Sequence, residues 1–307
     1  MFFYYLLLAL NVSFAVTRSI LIKNVKKAEN GFRSIRFNVM LFVVAVVAML
    51  PLVLSDIEGF SDQPLYLSAI YGVALIGSIV CSVESIACGP VSLSLLFYQS
   101  GFLIPTVFGA LYFNENMSAL SITGLVLVVL SLAITIDRSD KKFSVKWLSL
   151  SVSGLVFCGL LGIVQKLFGK YKTAHPAAGQ IHFTFISLSF ALIIALITML
   201  VAYYFPAKAN RAIDSETNNE QIERPSAKKC VFVIVIGVLL SAVNVLNTIL
   251  AGKLPSVVFF PVFNVGVIVL STIVSALLLK ERPSLKQIVS IALGSFAIII
   301  IALGQLF

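Results

Sequence analysis

The chain has 307 residues, of which 59 % are hydrophobic types and only 11 % are charged. A soluble domain carries about 25 % charged residues, so a water-exposed globule is excluded and a bilayer is the solvent that fits. The formal net charge of +9 then reads as basic loops at a membrane face, with no call for a nucleic-acid partner.

A membrane-spanning helix needs about 20 mainly apolar residues, and ten stretches qualify. In chain order they are Phe2–Ile22, Phe37–Ser55, Leu65–Ala87, Pro90–Phe113, Ser118–Ile136, Trp147–Phe168, Gln180–Phe205, Cys230–Gly252, Pro255–Leu279 and Leu285–Phe307. The first continues through Asn11 to Val16 with no basic region before it and no small-residue cleavage site after it, so it is read as a span and not as a signal peptide. The backbone polar groups of such runs must be satisfied internally, which makes helices the expected form. The fold class predicted is an all-α membrane protein of ten transmembrane helices. Most connections are short. The longest, about 206–229, is polar and is expected to be disordered.

Loops one–two, five–six, seven–eight and nine–ten hold 17 of the lysines and arginines. The opposite side holds 4, namely Lys166, Lys170, Lys172 and Lys253. Arg18, within helix one, and Lys166, near the matching end of helix six, are long enough to snorkel to the interface. This bias predicts a multi-pass protein of the cell membrane with both termini outside.

The chain matches itself. Pro90 begins helix four, and Gly101, Glu115 and Ser118 follow; Pro255 begins helix nine, and Gly266, Glu281 and Ser284 follow. Proline at a helix start gives up a donor that would be orphaned there. Glycine lets a neighbouring backbone approach, and serine caps the next helix. Pro90, Gly101, Pro255 and Gly266 are therefore packing or hinge positions. Glu115 and Glu281 are read first as interfacial anchors or hinge contacts, ahead of substrate ligands. Five helices per half is an odd number, so the halves cross the membrane in opposite senses. The predicted organisation is an inverted repeat, 1–137 and 147–307, joined by a basic linker at 138–146.

These motifs resemble the drug/metabolite transporter superfamily, in its EamA-like branch. The resemblance rests on Gly89-Pro90-Val91-Ser92 through Pro105 to Asn114-Glu115-Asn116, on Leu254-Pro255 through Lys280-Glu281-Arg282-Pro283-Ser284, and on Arg36-Phe37 opening helix two. It implies a ten-helix bundle working by alternating access on a small-molecule substrate. It also implies cytoplasmic termini, opposite to the charge bias.

Polar side chains inside hydrocarbon are costly and face the bundle interior. Gln99 and Asn264 occupy equivalent points of the two halves, about 13 Å of helix beyond each proline, near the middle of the membrane. Asn244 and Asn247 share a face of helix eight, and Ser82 is the first-half counterpart of Asn247. Tyr98 is a candidate lining residue and Glu84 a candidate for a coupling proton or a cationic solute. For the carboxamides the competing role is a hydrogen bond that only holds helices together; for Glu84 it is a solvated helix end. His182, two residues into helix seven, is read as a helix-boundary residue.

The function expected is a secondary transporter of a small organic solute, in contact with membrane lipids, with homodimer formation left open. The alternatives are a flippase for a lipid-linked headgroup and a non-transporting scaffold. No nucleotide-binding loop, no clustered catalytic histidines and carboxylates and no Cys-x-x-Cys pair occur in the sequence. The chain is accordingly expected to be no enzyme and to need no metal or cofactor.

Overall fold

Continuous apolar runs leave the backbone no partner but itself, and the chain is helical wherever they occur. A computed structural model describes residues 2–25, 32–88, 94, 97–98, 100–134, 144–204, 227–278 and 285–304. Within them lie α1 (Phe2–Val25), α2 (Phe32–Leu54), a 3-10 turn (Ile57–Phe60), α3 (Leu65–Cys88), α4 (Leu103–Tyr112), α5 (Ala119–Ile134), α6 (Val145–Ala174), α7 (Gln180–Tyr204), α8 (Ala227–Lys253), α9 (Ser256–Leu278) and α10 (Leu285–Leu303). No strand occurs among the described residues. Among the described residues six helices, α1, α2, α3, α6, α7 and α8, are long and apolar enough to cross a membrane, and four shorter apolar helical stretches accompany them. The protein is thus all-α and membrane-like. Pro90, Gln99, Glu281 and most of the 206–229 loop and the 138–146 linker lie outside the described residues.

Many hydroxyl side chains within these helices are satisfied at short range, although those of Ser68, Ser151 and Ser256 have no partner among the described residues. Ser78, Thr106, Ser131 and Ser187 each donate to a carbonyl three or four residues back on the same helix, at 2.7–2.8 Å. Such bonds let an apolar helix carry serine and threonine without an unsatisfied donor.

The chain divides into two compact units. The first comprises Met1–Val16, Ala74–Pro176 and Leu246–Phe307, and the second Thr17–Val73 and Ala177–Val245. In the first, α10 packs along α5, and α4 packs on α6 and α9. Its core includes Leu8, Phe102, Val128, Leu254, Val258, Phe259 and Ile301. Ser290 Oγ of α10 donates to Ser131 O of α5 at 2.7 Å. At the start of α6, Ser144 caps Trp147 N at 3.1 Å, and the buried Trp147 ring donates to Ser94 Oγ at 2.8 Å.

In the second unit α2 packs along α7. The 3-10 turn is tied to the start of α7: Gly179 N donates to Gly59 O at 3.0 Å, and Gln63 Nε2 bridges Gly59 O and Gly179 O at 2.6 and 3.0 Å. His182 is 2 % exposed, stands edge-on to Phe60 at 4.7 Å and has Nε2 3.4 Å from Val53 O. It is a buried packing residue of this knot and no exposed boundary group.

Candidate functional site

Two arrangements of charged or carboxamide side chains stand inside the first unit. One is at the corner between α8 and α9. α8 ends at Lys253 and α9 begins at Ser256, so Leu254-Pro255 makes the turn. Proline has no N–H to orphan, and Pro255 O accepts the first bonds of α9, from Val258 N and Phe259 N at 3.0 and 2.9 Å. The N–H of Ser256 cannot be met within the helix. Glu115 Oε2 accepts it at 2.7 Å, and Glu115 Oε1 pairs with Lys166 Nζ at 2.5 Å. Lys166 Nζ in turn donates to Leu254 O at 2.8 Å. The circuit is closed: a carboxylate sits at a helix N-terminus, where the helix dipole favours it, and an ammonium neutralises it while holding the last carbonyl before the corner.

Local sequence brings these groups together. Asn114 takes a left-handed conformation, φ 51°, which asparagine tolerates better than most residues, and it turns the chain just before Glu115. Gly109 on α4 lies against Ser256 so closely that a Cβ there would overlap the serine side chain. Phe113 flanks Lys166 at 5.9 Å, and Lys170 lies over the Tyr112 and Phe113 rings at 5.1 and 5.2 Å. The Lys166 side chain is 10 % exposed and that of Glu115 17 %. Lys166 therefore does not snorkel to an interface; its charge is met inside the protein.

The second arrangement is a carboxamide pair. Asn11 Nδ2 of α1 donates to Asn247 Oδ1 of α8 at 2.6 Å. Asn11 is fully buried, and its Oδ1 has no hydrogen-bond partner among the described residues. An acceptor so left costs about 1–3 kcal/mol, which an apolar residue of similar size would avoid. Residues 2–16 of α1 and all of α9 carry no charge; Arg18 lies seven residues beyond Asn11 on α1 and Lys253 six residues beyond Asn247 on α8, about 10 and 9 Å along the axes.

No family model and no curated protein matches the chain. A solved structure described only as "Crystal structure of protein" is similar, at 14 % identity and a TM-score of 0.74, with 98 % of this chain and 97 % of that one covered. The likeness shows a shared fold over nearly the whole chain.

The remaining sequence candidates fall into distinct environments. Asn264 is half-buried, and its Nδ2 donates to Phe260 O on its own helix at 2.8 Å. Asn244 is buried in the second unit, accepts from Tyr71 OH at 2.5 Å and donates to Leu240 O at 2.7 Å. The Tyr71 bond links α8 to α3. Tyr98 and Ser82 are half-buried, Ser82 O accepts from Ser85 Oγ at 3.0 Å, and Glu84 is exposed. At Gly101 a Cβ would lie 2.7 Å from Cys158 Cβ and 2.9 Å from Leu155 O, whereas at Gly266 it would lie in ordinary contact, 3.4 Å from Val12. Three participants were not singled out from sequence. Asn11 sits in an apolar run, Tyr71 is an aromatic residue within α3, and Lys166 stands where a lysine can snorkel; each has a partner far away in the chain.

Proposed function

We propose that the protein is a secondary transporter of a small organic solute, working by alternating access in a bundle of ten spans arranged as two inverted five-helix repeats. The observation that carries this is the buried Asn11–Asn247 pair with its open acceptor. Polar groups at this depth in hydrocarbon are expensive and mark solute or ion pathways. Asn11 lies nine residues into α1, about 13 Å along the helix, near mid-membrane if α1 spans it. Six span-length helices, the repeated proline–glycine–glutamate–serine pattern and the resemblance to the EamA-like branch of the drug/metabolite transporter superfamily support the same reading. Asn247 and Asn11 are assigned to the solute, with Asn264, Gln99, Tyr98, Ser82 and Glu84 as further candidates of the same unit. The Glu115–Lys166 circuit is assigned to holding the α8–α9 corner.

Reconstitution in liposomes tests this. Saturable uptake is expected for at least one compound in a radiolabelled panel of amino acids, amines, sugars and nucleosides. Uptake of that compound should fall at least tenfold in Asn247→Leu while the protein remains folded. Movement of a fluorescent lipid headgroup without solute uptake would replace the carrier with a flippase, and neither activity would leave a scaffold.

A further inference from the structure

We infer that the Asn11–Asn247 pair recognises the amide edge of a neutral solute: an N–H donor and a C=O acceptor side by side, as in a carboxamide, a lactam or a nucleobase. This rests on the transporter reading and adds a substrate class to it. A carboxamide offers one oxygen and two N–H donors. When two are joined by a single bond, the donating partner keeps its oxygen and the accepting partner keeps its amide nitrogen. Here Asn11 donates and its Oδ1 is left without a partner among the described residues. If both amides turn over, the bond reverses and the two residues exchange roles. The pair therefore retains one acceptor and one donor in either arrangement, and the group that satisfies both is another amide edge.

Charge points the same way. A carboxylate or an ammonium brought to this depth needs a counter-charge, because burying an unpaired ion is far costlier than burying a hydrogen-bonded amide. Residues 2–16 of α1 and the whole of α9 are uncharged; the basic residues of the flanking helices, Arg18 on α1 and Lys253 on α8, stand seven and six residues beyond Asn11 and Asn247, about 10 and 9 Å along the axes. Lys166, the buried cation of this unit, is taken by Glu115.

The test uses the full chain in lipid nanodiscs and follows thermal unfolding through the single tryptophan, Trp147. Nicotinamide, uracil and acetamide probe the amide edge; nicotinate and benzylamine are charged controls of similar size. At least one amide-edge compound should raise the melting temperature saturably, and the controls should not. In Asn11→Leu/Asn247→Leu, which removes donor and acceptor together, the apparent affinity should drop at least tenfold. Should that variant not fold, Asn247→Asp serves: it keeps an acceptor for Asn11 Nδ2, adds a negative charge, and should exchange the nicotinamide response for one to benzylamine. Equal stabilisation by nicotinate and nicotinamide, an undiminished response in the variants, or no response to any amide-edge compound would overturn the inference. Liposome uptake run in parallel separates the two claims. Saturable uptake of a charged compound, with no amide binding, sinks the substrate class alone. Amide binding with no uptake of anything sinks the carrier.

Discussion

At Lys166 the chain commits an ammonium to its interior, and the consequences follow from which partner is removed. Glu115→Ala strips the counter-charge and the acceptor of Ser256 N. Breaking a buried pair in this way costs about 3–5 kcal/mol, and the melting temperature in nanodiscs should fall accordingly. Glu115→Gln/Lys166→Met removes both charges, keeps an oxygen for Ser256 N, and should recover most of the loss. If the double variant is as unstable as Glu115→Ala, the pair is not what holds the corner. Part of this was legible beforehand. The Glu-x-x-Ser spacing put Glu115 at a polar boundary and Ser118 at a helix cap, and Ser118 Oγ does accept Ser121 N at 3.2 Å. The partner of Glu115 was not legible, because helical spacing relates only residues a turn or two apart. Asn11 was missed for a similar reason: one carboxamide barely lowers the apolar character of its run, and its importance lies in what α8 places opposite.

Among the helices, glycine separates positions where two backbones meet from positions where they do not. Gly169 of α6 and Gly252 of α8 face each other so closely that a Cβ on Gly169 would overlap Gly252 Cα. Backbone cannot yield as a flexible side chain would, and overpacking of this kind costs about 1–3 kcal/mol. Gly266 of α9 has room, with Val12 at ordinary distance, and alanine there should gain about 0.5–1 kcal/mol from helix propensity. Gly169→Ala should therefore lower, and Gly266→Ala hold or raise, the melting temperature of otherwise identical samples. The reverse ranking would show that α6 and α8 do not pack as described. Apolar run length placed the helices well, since burial pressure and backbone satisfaction act along the whole run. It did not show the interruption at Gly101. There the helix expected from Pro90 to Phe113 passes through a turn at Gly101-Phe102 before α4 begins at Leu103. Gly101 N and Ile104 N bond three residues back, to Tyr98 O and Gly101 O at 3.1 and 3.2 Å, and the close approach of Leu155 O is a tertiary fact that hydropathy does not carry.

For the whole molecule the sequence repeat and the compact units are different divisions. The repeat relates positions along the chain, while each unit gathers segments from both sides of the 138–146 linker. Orientation in the membrane depends on neither, but on the distribution of positive charge near the span ends. The structure sharpens that distribution. Of the 4 basic residues set against 17, Lys166 is ion-paired inside the protein and is not part of a loop at all. Only Lys170, Lys172 and Lys253 then oppose the basic side. A protein whose termini were cytoplasmic would have to export the loops that hold Lys23, Lys26, Lys27, Arg33 and Arg36, together with Lys208, Arg211, Arg224, Lys228 and Lys229. Membrane insertion disfavours translocating short loops so charged. We therefore expect Asn219→Cys, in a background with Cys81, Cys88, Cys158 and Cys230 replaced by alanine, to stay unlabelled by an impermeant maleimide in intact cells. It should react once the membrane is opened. Labelling in intact cells would instead place the seven–eight loop outside and the termini in the cytoplasm, the orientation implied by the resemblance, and would show that charge does not set the topology of this chain.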